Sequence, residues 1–406
     1  MSALKDLLRP GDTLLIGTGT GEPVSLIEEL IAVAPQFPGL RAIQVMTGGL
    51  EQLADATGPA IRLLTPMPGS KTRKAIAEGR AELLLLPMSA LLHGVLDGSL
   101  GVTGVLMQGR ALDEVTATPG LIADVMVPAW ETARFRALEL NDKLPRIACL
   151  TPLKIATAEH IVHSSREPKE LLEDPVSEAA ARIGELVAEI VPDGATIELG
   201  VGRALAGIVA ALIAHRRDLA MHTGIVGDAA MRLIEAGCVS RPVRGTAMAA
   251  GATAMGTRAY YAWADNNPRI ALVDSRLAHN ADALAALPRF VAVNGALQID
   301  LQGQVNSISH KGRIVSGVGG SGDFAAAGVR SVASVIVLFS TTPDGSSTIV
   351  PQADAVSLPA DRVTHVVTEH GVACLRGATP IARARALAAI AAPEHRGKLL
   401  AHIENL

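Results

Sequence analysis

The sequence predicts two α/β domains with mainly parallel sheets, on three observations. A strand-like run, a glycine turn and a helical run follow one another near the start of the chain. A similar succession returns about halfway along, and later apolar runs separated by glycine-rich turns have the character of buried strands. Hydrophobic residues make up 49% of the 406 residues and charged residues 19%, which is ample for filled α/β layers. That length favours two cores over one. Aromatic residues are only 2%, so Leu, Val, Ile and Ala must fill those cores.

The first unit opens with a strand at Thr13 to Ile16, then GTGTG (17–21), then a helix that Pro23 suits as a first-turn residue. Val24, Ile27, Leu30, Ile31 and Ala34 fall on one helical face. Gly17 and Gly19 are candidate binding positions, where backbone amides approach a ligand at a helix N-terminus. The competing reading is a tight turn that holds nothing.

The second succession is VPDGATIELGVG (191–202) followed by ALAGIVAALIAH (204–215), which parallels RPGDTLLIGTG (9–19) and its helix. This short likeness is consistent with internal duplication. The polar, proline-bracketed stretch Ser164 to Pro175 is the expected linker, giving domains at 1–168 and 169–406. In the second, Arg289 to Val293, Val332 to Phe339 and Arg362 to Thr368 are expected strands. SGVGGSGDF (316–324) is a glycine-rich turn, and Pro380 to Ile390 an Ala-rich helix.

Composition also excludes classes. A formal net charge of -4 offers no basic surplus for nucleic acid. Cys149, Cys238 and Cys374 lie far apart without CxxC spacing, which excludes a disulfide framework and suits a reducing compartment. The start of the chain has no apolar h-region. The greasiest stretch, Leu83 to Val95, is broken by Pro87 and His93 and is too short for a bilayer core of about 30 Å. A soluble cytoplasmic protein is therefore expected. No HExxH, Walker or Cys/His metal spacing is present, and no metal is expected. A dinucleotide oxidoreductase is suggested by the glycine turns alone. It is set aside because GTGTG departs from GxGxxG.

From Met255 onward, five segments occur in a familiar order: MGTRAYYAWADNNP (255–268), NGALQIDLQGQVNS (294–307), SGVGGSGDF (316–324), the VP pair at 350–351, and VTHVVTEHGVACLRG (363–377). Together they resemble the C-terminal domain of the acetyl-CoA hydrolase/transferase family, particularly its 4-hydroxybutyrate CoA-transferase branch. Weaker echoes at 218–237, 193–202, 70–82 and 17–23 extend the likeness over nearly the whole chain. The resemblance implies two CoA-transferase-like (NagB/RpiA-type) domains with an active-site cleft between them. It further implies an acyl-CoA and a small carboxylate as substrates, coenzyme A carried as the thioester, and a homodimer.

The chemistry that the resemblance implies begins with a glutamate attacking the thioester carbonyl. An acyl-glutamyl anhydride, a glutamyl-CoA thioester and transfer of CoA to an acceptor carboxylate follow. Each step develops an oxyanion that needs hydrogen-bond donors. Asn280 and Gly320 fall at the matching places. Gly317, Gly319 and Gly322 belong to the same loop as CoA-binding candidates, since four glycines in six residues lose more backbone entropy than a plain turn requires.

The nucleophile is the departure. Three residues after the NNP motif, where the family carries its glutamate, this chain has Ala271, and a methyl group cannot attack a thioester. Gln298 likewise stands where relatives carry a glutamate. Three alternatives remain open: water or a substrate group replaces the nucleophile, another carboxylate such as Asp274 occupies the true position, or the chain binds CoA without turnover, alone or as a partner subunit. Asp274, Asp323 and Glu369 are the candidate alternative carboxylates. Helix capping competes for Asp323, and a structural hydrogen bond competes for Glu369 and His370. His222, His310 and His365 show no ligand spacing and are taken as ordinary polar or core positions, and Tyr260, Tyr261 and Trp263 as core.

Overall fold

The computed structural model describes residues 3–47, 51–58, 60–172, 175–245 and 247–404. The chain divides into two compact units: residues 1–172 with 225–228 and 250–278, and residues 173–224 with 229–249 and 279–406. Each unit draws on three stretches of chain, where composition alone suggested one division near residue 168. Local pairing explains why 250–278 belongs with the first: its strand Ile270–Leu272 runs parallel to Ala148–Cys149, with Ala271 opposite Ala148.

The first unit contains seven strands in one parallel run. These are β1 (Thr13–Ile16), β2 (Leu40–Ile43), β3 (Ile61–Thr65), β4 (Ala81–Leu83), β5 (Val102–Ala111), β6 (Phe135–Asn141) and β7 (His160–Ser164). Their order is β7-β6-β5-β1-β2-β3-β4. Thr13 to Ile16 are all buried, as expected of a central parallel strand covered on both faces. Helix α1 (Val24–Val33) follows the GTGTG turn and packs Leu26, Ile27 and Leu30 into a core with Leu14, Ile16, Leu63 and Leu106.

The second unit carries β8 (Thr196–Leu199), β9 (Ala220–Val226), β10 (Val291–Gly295), β11 (Ala333–Val337), β12 (His365–Thr368) and β13 (Gly371–Cys374). Their order is β13-β12-β11-β10-β8-β9, parallel except for the β12–β13 hairpin at the edge. The three expected strand runs thus become β10, β11 and β12, shifted or trimmed by up to three residues. The Ala-rich helix spans Pro380–Ala389, with the Thr379 side chain accepting from the Ala382 amide at its start.

Two helices set the spacing near the second glycine turn: Glu178–Ile190 and α2 (Leu205–His215). They cross with backbones in contact. A Cβ at Gly184 would lie 2.3 Å from the Gly207 carbonyl oxygen, and one at Gly207 would lie 2.1 Å from that of Ala180. Only glycine permits that approach. Among the described residues no helix is long and apolar enough to cross a membrane.

Candidate functional site

At the C-terminal ends of β8, β10 and β11 the second unit holds a cavity of about 630 Å³. Strand ends of a parallel sheet commonly receive ligands, because loops diverge there and leave room. Leu199, Val293, Val337 and Phe339 give it apolar walls, and Val201 and Gly202 bring the glycine turn to its lining. The Arg203 guanidinium lies 4.7 Å from the Phe339 ring centroid, a cation held over an aromatic face. His310 and Ser316 add polar groups. An apolar pocket of this size with a few polar groups suits a small organic ligand.

Just below that turn, Glu198 and Asn294 are both buried. Burial pushes the Glu198 carboxyl up to about 8, although the Asn294 amide donates to it and opposes the shift.

Ser316 leads into the glycine loop, which ends by starting helix α4 (Ser321–Arg330). Gly319 has a φ of +58°, a left-handed conformation that favours glycine. Gly320 rests directly against an imidazole: a Cβ there would lie 2.5 Å from Cε1 and 2.8 Å from Nδ1 of His279. That histidine is only 5% exposed, and its ring packs against Phe324 with centroids 5.0 Å apart. Burial, with the nearby His222 acting in the same direction, lowers it to about 3 and keeps it neutral. Its Nδ1 lies 3.8 Å from Oδ2 of Asp323, beyond hydrogen-bond length. Gly224, in β9, borders the same rings. A Cβ there would stand 3.6 Å from Phe324 and 3.9 Å from His279, in ordinary contact.

Asn280 follows His279 and caps helix α3 (Ala281–Ala285). Its Oδ1 accepts from the amides of Asp282 at 3.1 Å and Ala283 at 3.0 Å. The cap uses the oxygen and leaves the Nδ2 group as a donor. Thus Gly317, Gly319, Gly320, Gly322 and Asp323 share one loop-to-helix junction, with His279 seated against it and Asn280 next in the chain. Around Gly322, no atom lies within 4 Å of where a Cβ would stand.

The remaining expected residues lie elsewhere. The Gly17 amide donates to the Leu106 carbonyl and that of Gly19 to the Met46 carbonyl, so both are engaged within the buried first-unit turn. Ala271 is 6% exposed in its strand. Asp274 is gripped by Arg276 through Nε at 3.0 Å and Nη2 at 2.7 Å, while Arg276 also reaches Glu131. Gln298 accepts from Asn306 Nδ2 at 2.9 Å. Glu369 accepts from the Ser340 hydroxyl at 2.6 Å and amide at 3.0 Å. Among the described residues no three His, Cys, Asp or Glu side chains gather as a metal-binding group.

Sequence reasoning passed over His279, Phe324 and Arg203. The one available signal was adjacency: His279 immediately precedes Asn280 in LAHN (277–280).

Residues 256–403 match the family model described as "Acetyl-CoA hydrolase/transferase C-terminal domain". The chain is 30% identical over 392 residues to the 4-hydroxybutyrate coenzyme A transferase of Clostridium kluyveri, covering 94% of this chain and 91% of that one. Its structure is similar to that of 4-hydroxybutyrate CoA-transferase from Porphyromonas gingivalis, with a TM-score of 0.81, 26% identity, and 99% and 96% of the two chains covered. RipA from Yersinia pestis shares the fold with a TM-score of 0.90 at 23% identity, over 99% of this chain and 96% of that one.

Proposed function

Because this chain belongs to the acetyl-CoA hydrolase/transferase family, we propose that it processes acyl-CoA thioesters, either moving CoA to a carboxylate or hydrolysing the thioester to free CoA and a carboxylate. One observation carries the reading: the apolar cavity at the ends of β8, β10 and β11, with the glycine loop running from its lining at Ser316. The pantetheine and acyl portions occupy that cavity. The thioester oxygen, as it becomes an oxyanion, takes hydrogen bonds from Asn280 Nδ2 and the backbone amide of Gly320. Gly317, Gly319 and Gly322 let the loop backbone lie close to the ligand. Removing one such donor typically slows turnover by 10²–10³.

The proposed setting is a cytoplasmic homodimer. The three cysteines are all free, which suits a reducing compartment.

A second reading, CoA binding without turnover, is favoured by Ala271, which supplies no carboxylate at the position matched to the family nucleophile. A thiol-trapping assay with acetyl-, butyryl- and 4-hydroxybutyryl-CoA, with and without added acetate, separates the two. Release of free thiol from any of them is the expected result. Calorimetric heat with CoA but no thiol release establishes the binder, and neither heat nor release overturns both readings.

A further inference from the structure

The first unit has a cavity of its own, of about 300 Å³, at the C-terminal ends of β5 and β6. All of its lining residues belong to that unit. We propose that this cavity binds a phosphoryl group, held by Arg110, Lys143, Arg146 and Arg258. The site goes beyond the acyl-CoA reading and does not depend on it.

Three observations carry it. First, donors are left over. Arg110 Nη1 and Arg146 Nε are buried and have no hydrogen-bond partner, and both residues line the cavity. A guanidinium nitrogen taken out of water without an acceptor is costly, and an anion in the cavity removes that cost. Second, the ion pairs around the cavity are loose. Lys143 Nζ stands 4.0 Å from Glu167, Arg258 Nη2 3.7 Å from Glu170, and Arg146 Nε 3.5 Å from Asp265. Elsewhere Arg134 closes on Asp12 at 2.6 Å and Arg276 on Asp274 at 2.7 Å. The carboxylates beside the cavity therefore hold these cations in place at lengths beyond a hydrogen bond, leaving N–H groups to a ligand. Third, four cations line the cavity against three carboxylates, Asp142, Glu167 and Asp265, so positive charge is in surplus.

The backbone that carries these side chains is pinned. Asn141 Oδ1 accepts from the amides of Lys143 and Arg166, which ties the turn after β6 to the segment that follows β7. The Arg146 amide donates to Asp265 at 2.7 Å, and the Arg258 amide to Glu170 at 2.8 Å. Tyr261, in the helix Arg258–Ala264, lines the cavity and donates its hydroxyl to the Lys169 carbonyl at 3.0 Å. A pinned frame of this kind presents its charges in a fixed arrangement.

That arrangement favours phosphate over carboxylate. A carboxylate has two oxygens in one plane, which a single arginine fork satisfies. A phosphate monoester directs three oxygens outward and carries a charge of about -1.5 to -2 near neutral pH. Here the cations arrive from three segments: β5, the turn after β6, and the start of the helix at Arg258. Inorganic phosphate and the phosphates of a nucleotide, those of CoA included, share this chemistry.

The test is calorimetric titration of the full chain with inorganic phosphate near neutral pH, with ionic strength held by sodium chloride. Millimolar binding is expected, with acetate bound at least about tenfold more weakly. Arg110→Gln is expected to weaken phosphate binding about tenfold and Lys143→Gln about threefold. Because Arg110 Nη1 has no partner, Arg110→Gln should not lower Tm in phosphate-free buffer. Competition then names the source. Displacement of phosphate by CoA but not by dephospho-CoA assigns the site to the 3′-phosphate, displacement by both to the pyrophosphate, and displacement by neither to free phosphate. No phosphate binding by wild type, acetate binding as tightly, or undiminished phosphate binding by a folded Arg110→Gln protein overturns the proposal. Should Arg110→Gln fail to fold, undiminished binding by Lys143→Gln, altered at an exposed position, overturns it instead. Each of these results leaves acyl-CoA processing standing.

Discussion

Glu198 and Asn294 meet across neighbouring parallel strands, with Asn294 Nδ2 donating to Glu198 Oε2 over 2.7 Å, close beside the glycine turn. The carboxyl is fully buried, and its folded value of about 8 stands above the ordinary 4.5. The folded protein therefore holds a proton that the unfolded chain releases between those two values. The contribution of this group to stability is fully present below pH 4.5 and is lost as pH rises through 8. Denaturant midpoints measured from pH 5 to 9 should show this decline. In Glu198→Gln, which keeps shape and hydrogen-bonding capacity, the decline attributable to this group should vanish.

The crossing at Gly207 predicts a large loss from a small change. In Gly207→Ala the new methyl would meet the Ala180 carbonyl oxygen at 2.1 Å, so the helices must separate. A destabilisation of about 3 kcal/mol is expected, read as a lowered Tm relative to wild type. Gly79→Ala, where no neighbour lies within 4 Å but φ is +71°, tests backbone strain alone and should cost about 1 kcal/mol.

Asn280 has two separable roles. Asn280→Asp keeps an oxygen to cap α3 but loses the Nδ2 donor. Asn280→Ala loses both. Turnover should fall by about 10²–10³ in each. Only the alanine variant should also lose about 1 kcal/mol of stability. Equal activity in wild type and Asn280→Asp would remove Asn280 from the oxyanion site.

Asp274 is held by Arg276, which also binds Glu131 at 2.8 Å, so its oxygens are committed to structure. Asp274→Asn should leave kcat within threefold of wild type while lowering Tm, because the Arg276 fork loses a charged partner that is 6% exposed. A loss of turnover without a change in Tm would reassign Asp274 to the chemistry.

The two glycine turns show how far sequence reaches. GTGTG and GVG follow equivalent strands and precede equivalent helices, and their locations were legible from strand and helix periodicity. What separates them is tertiary. Gly17 and Gly19 give their amides to Leu106 and Met46, whereas Val201 and Gly202 line a cavity. Neither outcome is written in five residues of local pattern. Asn280 and Gly320 were legible because motif order located them. His279 was not, because its significance comes from the Gly320 backbone resting on its ring, a contact across 41 residues of chain. The division into units was obscured for a similar reason: the short strand at 270–272 pairs with 148–149, far earlier in sequence.

The proposed function requires that CoA occupy the cavity beside the second glycine turn. Val201 lines that cavity and is 56% exposed, so Val201→Trp can fill it without disturbing a core. Calorimetric titration of CoA into the wild-type and Val201→Trp proteins is the decisive measurement. Binding to wild type, weakened at least tenfold in the variant with Tm unchanged, is the predicted result. Equal affinity in the two proteins, or no heat with wild type, would contradict it.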